Sequence, residues 1–319
     1  MTMFKFIAAA GVLATGLTIT GTALAQDKIY TIGVSVPTAD HGWTGGVDFF
    51  AQQAVDRLSK TYPNLKFVLQ TAPDSTKQAA DLEDMVTTRN IDALVILPGD
   101  PDAMTASIKK VKDAGKWVTV VDRQLSQSGI EDLYVAGDNP GLGAVTADYF
   151  KANLKPGSKI VVLRGLPIPI DKQRFDAFMA GIDGSGIEVL DNQLANWNRD
   201  DGYKVMQDFL TKYDHIDAVW CQDDDILVGV LKALKEAGRE DEMWSVGGAG
   251  MNQVIKMVER GDEHVPVDVS YNPAMIGLAI EVTALRYVAG LQINGRYIID
   301  STLITQENAA EFDYEGTPF

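Results

Sequence analysis

The sequence predicts an α/β protein made of two similar doubly wound parallel-sheet domains. Short β-branched apolar runs alternate with longer amphipathic segments, the pattern of parallel strands joined by crossover helices. The alternation repeats about ten times, too often for one open sheet of about five or six strands and too loosely bounded for an eight-unit barrel. Each half completes about five strands and ends one run on polar residues, Asp122-Arg123 in the first half and Asp223 in the second. Open α/β sheets bind ligands at the carboxyl ends of their strands, so two such sheets facing each other imply a cleft lined from both sides.

In chain order, a first strand at 30–36 leads through His41-Gly42-Trp43 into a helix at 44–60. Strands at 66–71, 93–97, 117–121 and 133–136 follow, with helices at 76–89 and 104–114 between them. Asp138-Asn139-Pro140-Gly141 combines turn residues with a helix start, so a short hinge rather than a Pro/Ser tether joins the halves. Beyond it, strands at 159–164, 188–193, 218–222, 244–248 and 267–271 alternate with helices at 141–153, 172–183, 203–213, 226–236 and 253–260, and a helix at 274–289 closes the series.

Ahead of these elements, Lys5 precedes an apolar run at 7–20, and Ala23-Leu24-Ala25 supplies a small-x-small cleavage site. Residues 1–25 are therefore expected to be a secretory signal cut before Gln26. The alternative, a buried or anchoring helix, is disfavoured by Gly11, Gly16 and Gly21, which leave the run short and weakly apolar for a span of ~20 residues. No Cys lies near the cut to take a lipid, so a freely soluble protein of a Gram-negative periplasm is expected.

At 46% hydrophobic and 23% charged, the 319-residue chain has the composition of a globular protein able to bury a full core. A formal charge of −16 argues against a nucleic-acid partner, which needs basic patches. One Cys and three scattered His exclude a disulfide framework and a structural zinc site, and Cys221 lies in an apolar run as a small core residue. Nucleophile-elbow, phosphate-loop and zinc-helix motifs are absent. Gly247-Gly248-Ala249-Gly250 follows a strand, but Gln253 stands where a dinucleotide loop needs its third glycine.

The polar clusters that remain fit the binding of a neutral ligand. Asp223-Asp224-Asp225 ends a strand and begins a helix; Asp224 and Asp225 are read as caps, which leaves Asp223 free to face a ligand. Asp122 and Arg123 offer acceptors and forked donors suited to several hydroxyls, or else a surface ion pair. Trp43 follows the first strand and Trp197 takes the equivalent place in the second half. Either indole alone could cap the core, but as a pair they could stack on both faces of a sugar ring.

With Val121-Asp122-Arg123-Gln124, the stretch Val219-Trp220-Cys221-Gln222-Asp223-Asp224 leading into Gly229, and Ser270-Tyr271-Asn272-Pro273 before Ile276-Gly277, the chain resembles the periplasmic sugar-binding proteins of the ribose and galactose type. These are the type I solute receptors of ABC transporters, and the resemblance runs from Ile32 to about Ile304. It implies three hinge crossings, near Gly137, Asn272 and Asp300, with one ligand in the interdomain cleft. The N-terminal lobe would be 26–137 plus 273–300, and the C-terminal lobe 138–272 plus 301–319. The implied ligand-binding residues are His41, Trp43, Asp122, Arg123, Lys172 (with Arg174 a near alternative), Trp197, Asp223 and Tyr271.

Departures from that pattern bear on the ligand. Asp223 stands where ribose receptors place Asn, Gly248-Ala249-Gly250 where they have an Asp, and Tyr271 where they have Gln. Moving an acceptor across a hydrogen-bonded pocket changes what it accepts, so a different pentose, a deoxyhexose or a sugar alcohol is expected rather than ribose. The expected protein is a monomeric, non-enzymatic receptor for a small sugar or polyol that delivers it to an inner-membrane ABC permease, with no cofactor and no metal. The rivals are a ligand sensor for a chemoreceptor, sensor kinase or furanosyl quorum signal, and, last, a carbohydrate-active enzyme.

Overall fold

A computed structural model of the chain describes residues 28–313, 316, 317 and 319; the expected signal segment, 1–25, lies outside them. The first part of the chain builds β1 (Tyr30–Pro37), α1 (Gly42–Thr61), β2 (Leu65–Ala72), α2 (Ser75–Thr87), β3 (Ala93–Ile96), α3 (Pro101–Asp113), β4 (Trp117–Val121) and β5 (Leu133–Gly137). The second part continues with α4 (Asn139–Asn153), β6 (Lys159–Arg164), α5 (Pro169–Ile182), β7 (Glu188–Leu194), α6 (Arg199–Lys212), β8 (Ala218–Cys221), α7 (Asp224–Ala237), β9 (Trp244–Val246) and α8 (Asn252–Glu259). After these come β10 (Asp268–Val269), α9 (Met275–Val288), β11 (Gly295–Ile299) and β12 (Leu303–Ile304).

Two parallel sheets result. One runs β11-β5-β4-β3-β1-β2 and the other β7-β6-β8-β9, while β10 and β12 pair antiparallel in a short ribbon. The even division into five and five is thus corrected to six and four. The fifth strand hydrogen-bonds to β4 and stays with the first sheet, and β11, which the periodicity did not single out, adds an edge beside it. The strand expected at 267–271 shortens to Asp268–Val269 because its last residues belong to a connection between the sheets. The chain passes between the sheets three times: after Gly137, between Val269 and Met275, and between Ile299 and Leu303.

Cap chemistry explains why so many helices begin at the same edge. Asp74, Asp100 and Asn198 accept hydrogen bonds from the first N–H groups of α2, α3 and α6, and Asp138 does so for α4. Pro101 and Pro140 sit in first turns, where a missing N–H costs nothing. All four caps stand after strand ends, so the carboxyl edge of each sheet becomes a rim of short polar side chains. Behind the rim, β3, β6 and β8, 0% exposed over most of their length, lie at the centre of the core, and in the second lobe Phe178 stacks on Trp220 at 4.1 Å with Phe150 edge-on at 5.3 Å.

The backbone is strained at Ala249. Ala249 has φ of +135°, a region that suits glycine, and is held there by hydrogen bonds with Val269 and Tyr271 beside the ribbon. Ala249→Gly is expected to raise the thermal midpoint by about 2 °C, the result of removing ~1 kcal/mol of strain. A melt in which the variant unfolds earlier than the wild type would refute this.

Candidate ligand-binding site

The carboxyl ends of both sheets face one cleft. His41, Trp43, Asp122, Arg123, Ile170, Arg174, Trp197, Asp223 and Tyr271 line a narrow pocket there. From the first sheet, Asp122 ends β4 with φ of +61°, and the Arg123 N–H turns back to the Val121 carbonyl at 2.7 Å. This γ-turn is a strained conformation, and the buried Tyr134 hydroxyl secures it by donating to the Asp122 carbonyl at 2.6 Å. Arg123 is buried; its Nη1 donates to the carbonyls of Pro98 (3.2 Å) and Gly99 (2.5 Å) at the end of β3, whereas Nε has no acceptor among the described residues. Burial pulls its guanidinium below the usual range while Asp122 opposes that pull.

His41 precedes α1 and bonds the Asp40 carboxylate at 2.5 Å, which holds Asp40 down to about 2. Trp43 lies two residues on, its Nε1 donating to the Tyr271 carbonyl at 2.8 Å. From the second sheet, Trp197 precedes α6 with φ of +50° and is 3% exposed. Its indole lies so close over Gly165 that a Cβ there would stand 1.9 Å from the ring, so only glycine leaves room for this wall. The Trp197 Nε1 is buried without an acceptor among the described residues.

Asp223 caps α7, accepting from the Asp225 N–H at 2.8 Å through Oδ1. Burial pushes its carboxyl up to about 7. The expectation that Asp224 and Asp225 are the caps is corrected: the cap is Asp223 itself. Asp224 turns inward instead and accepts from the Gly248 (2.9 Å) and Met251 (2.7 Å) N–H groups, which pins the glycine-rich loop. It lies against Asp268, and burial raises both carboxyls. Asp225 reaches across the cleft to Gly42.

Lys172 is corrected as well. It is exposed and paired with Asp176, and it faces an outer groove with Phe175 and Leu194. On a helix, residues four apart share a face and residues two apart do not. With Ile170 in the pocket, Arg174 follows it inward and Lys172 is carried outward. Arg174 donates to Asn139 Oδ1 (2.8 Å) and to the Gln222 carbonyl (2.9 Å), and its guanidinium lies 4.4 Å over the Tyr271 ring and 5.6 Å from Trp197. Asn139 in turn donates to the Tyr271 hydroxyl at 2.9 Å, and that hydroxyl donates to Asp122 Oδ1. A continuous buried chain of bonds therefore runs from the end of β8 to the end of β4 beneath the pocket. Asn139 was read only as part of a turn; its place in this chain had no signal in the sequence.

A family model for the periplasmic binding protein domain matches residues 32–292. The chain belongs to that family. Its members are solute-binding proteins, and the two-sheet cleft of this periplasmic binding protein follows their architecture. The ribose import binding protein of Escherichia coli (strain K12) is 28% identical over 308 residues, which cover 96% of this chain and 100% of that protein. The xylitol-binding protein of Mycolicibacterium smegmatis is 28% identical over 264 residues, 80% of this chain and 72% of that one. A solved ABC transporter solute binding protein from Bacillus halodurans C-125 with bound myo-inositol shares the fold, with a TM-score of 0.81 at 23% identity over 91% of this chain and 99% of that chain.

Proposed function

We propose that this chain is the periplasmic receptor of an ABC importer and binds one small sugar or polyol between its lobes. The observation that carries this is the set of unpartnered polar atoms on the pocket wall. Among the described residues, Arg123 Nε and Trp197 Nε1 are buried donors lacking acceptors. Buried polar groups left unmade cost ~1–3 kcal/mol each, and a ligand with several hydroxyls completes them. Two indoles on opposite sides offer apolar faces to its C–H bonds. The ribose and xylitol specificities of the relatives point to the same class.

In this reading the lobes are 26–137 with 273–300 and 138–272 with 301–319, moving about the three connections as a monomer exported by the signal at 1–25. His41, Trp43, Asp122, Arg123, Arg174, Trp197, Asp223 and Tyr271 hold the ligand. The protein binds and releases without breaking a bond: Asp122 is engaged by Tyr271 and Asp223 by the start of α7, which suits them to orienting hydroxyls. The test is a thermal-shift panel of D-ribose, D-allose, xylitol and myo-inositol beside amino acids and dipeptides. A polyol at 100 times its Kd should add about 2.7 kcal/mol of stability. A panel in which only an amino acid or peptide raises the midpoint would sink the proposal.

A further inference from the structure

One bond across the cleft involves neither the pocket nor the chain of bonds beneath it. The Gly42 N–H, at the first residue of α1 on the six-stranded side, donates to Asp225 Oδ2 at 2.5 Å on the four-stranded side, 183 residues away. Helix α1 carries no acidic residue in its own first turn, so the positive end of its dipole is met by a carboxylate from the other lobe. Arg199 Nη2 holds the opposite oxygen of that carboxylate at 2.8 Å and aims it, and Asp225 is only 6% exposed. Gly42 permits the approach, because a Cβ there would stand 2.6 Å from Asp225 Oδ2. Asp225 does not line the pocket.

We propose that Asp225 is a positioning residue for ligand capture: its carboxylate, aimed by Arg199, latches the start of α1 across the cleft, and the latch biases the receptor toward the shut form whether or not a ligand is present. The inference rests on the receptor reading for its meaning, but the bias itself can be measured without any ligand. A hydrogen bond to a charged group that forms only on closure shifts the open–shut equilibrium by about tenfold or more. Affinity is then raised by a contact that the ligand never makes, because a larger binding-competent fraction lowers the apparent Kd.

The test uses spin labels at Lys60→Cys and Lys235→Cys, exposed positions late in α1 and α7; the native Cys221 is buried and stays unlabelled. Distances are compared in ligand-free protein and in 10 mM D-ribose or xylitol, for the otherwise native chain, Asp225→Ala, Gly42→Ala and the double variant. Asp225→Ala and Gly42→Ala are expected to lengthen the ligand-free distance and to weaken binding of whichever polyol binds by about tenfold. The double variant should resemble Asp225→Ala alone, since removing the carboxylate removes the clash that the Gly42→Ala methyl creates. A merely structural Asp225 would lower the unfolding midpoint with unchanged distances, and that result, or additive effects in the double variant, would overturn the proposal. If neither polyol binds, the receptor reading is what suffers, and the ligand-free distances still decide for or against the latch.

Discussion

Arg174→Ala is expected to abolish polyol-induced stabilisation, with apparent Kd rising at least ~100-fold, while Lys172→Ala leaves binding and stability unchanged within about 0.5 kcal/mol. The two residues lie one helical half-turn apart. Arg174 joins the end of β8, through the Gln222 carbonyl, to Asn139 and so to Tyr271 and Asp122. Its removal leaves the Asn139 amide oxygen without its donor in a buried setting and empties the space between Tyr271 and Trp197. A loss of about 3 kcal/mol in ligand-free stability should accompany the loss of binding. Arg174→Lys guards against simple unfolding: it keeps the charge without the planar fork, so it should fold and still bind poorly. Isothermal titration of the three variants decides it. Retained affinity in Arg174→Ala together with lost affinity in Lys172→Ala would place the basic ligand contact at the surface residue after all.

The ligand-free receptor is expected to be more stable at pH 4.5 than at pH 7.5, against the common optimum between about 5 and 8. Asp223 is buried at the cleft and pushed up to about 7 from an ordinary 3.8. The folded chain therefore holds a proton that the unfolded chain has already released between these values. Stability from that retained proton is fully present below about pH 4 and is lost as pH rises through about 7. At 1.36 kcal/mol per pH unit, the full loss is about 4 kcal/mol, of which about 3 kcal/mol falls between pH 4.5 and 7.5. The buried Asp224–Asp268 pair works in the same direction, since both carboxyls are raised. Asp40 works in the opposite direction, but at about 2 its contribution fades only below pH 4. Asn caps a helix as well as Asp does, so Asp223→Asn keeps the start of α7 and removes the titration. Its midpoint should match the wild type near pH 4.5 and exceed it at pH 7.5. Wild-type melts that are flat or improve between these pH values would contradict the buried, protonated Asp223.

The pocket residues at strand ends were legible because the turn from strand to helix leaves little freedom: Asp122-Arg123, Trp43 and Asp223 sit where a βα unit must present its edge. The resemblance puts Lys172 first with Arg174 as the near alternative, and no pattern in Asp171-Lys172-Gln173-Arg174 tells which cation turns inward until Ile170 is known to face the pocket. The acidic triplet was read by the general preference of helix starts for carboxylates, which is sound for Asp223. That preference cannot foresee Asp224 folding back on Gly248 and Met251 or Asp225 reaching Gly42, because both partners are distant in the chain. Strand β11 escaped notice for a related reason. All five of its residues are exposed, so it lacks the buried alternation that marks a strand, and only its pairing with β5 makes it one.

That last strand has a consequence for how the molecule comes into being. The six-stranded sheet acquires β5 by Gly137, but its covering helix α9 begins only at Met275 and its edge β11 at Gly295. Synthesis delivers the chain from its N-terminus, and domains tend to fold as units when their last piece arrives. The lobe begun first is thus completed late, after the whole of the four-stranded sheet has been synthesised. Until then α1 and the face of β3 to β5 lack the partner that α9 supplies. A chain ending before α9 would leave that apolar face open to aggregation, so the first lobe depends for its core on a helix made almost at the end of synthesis.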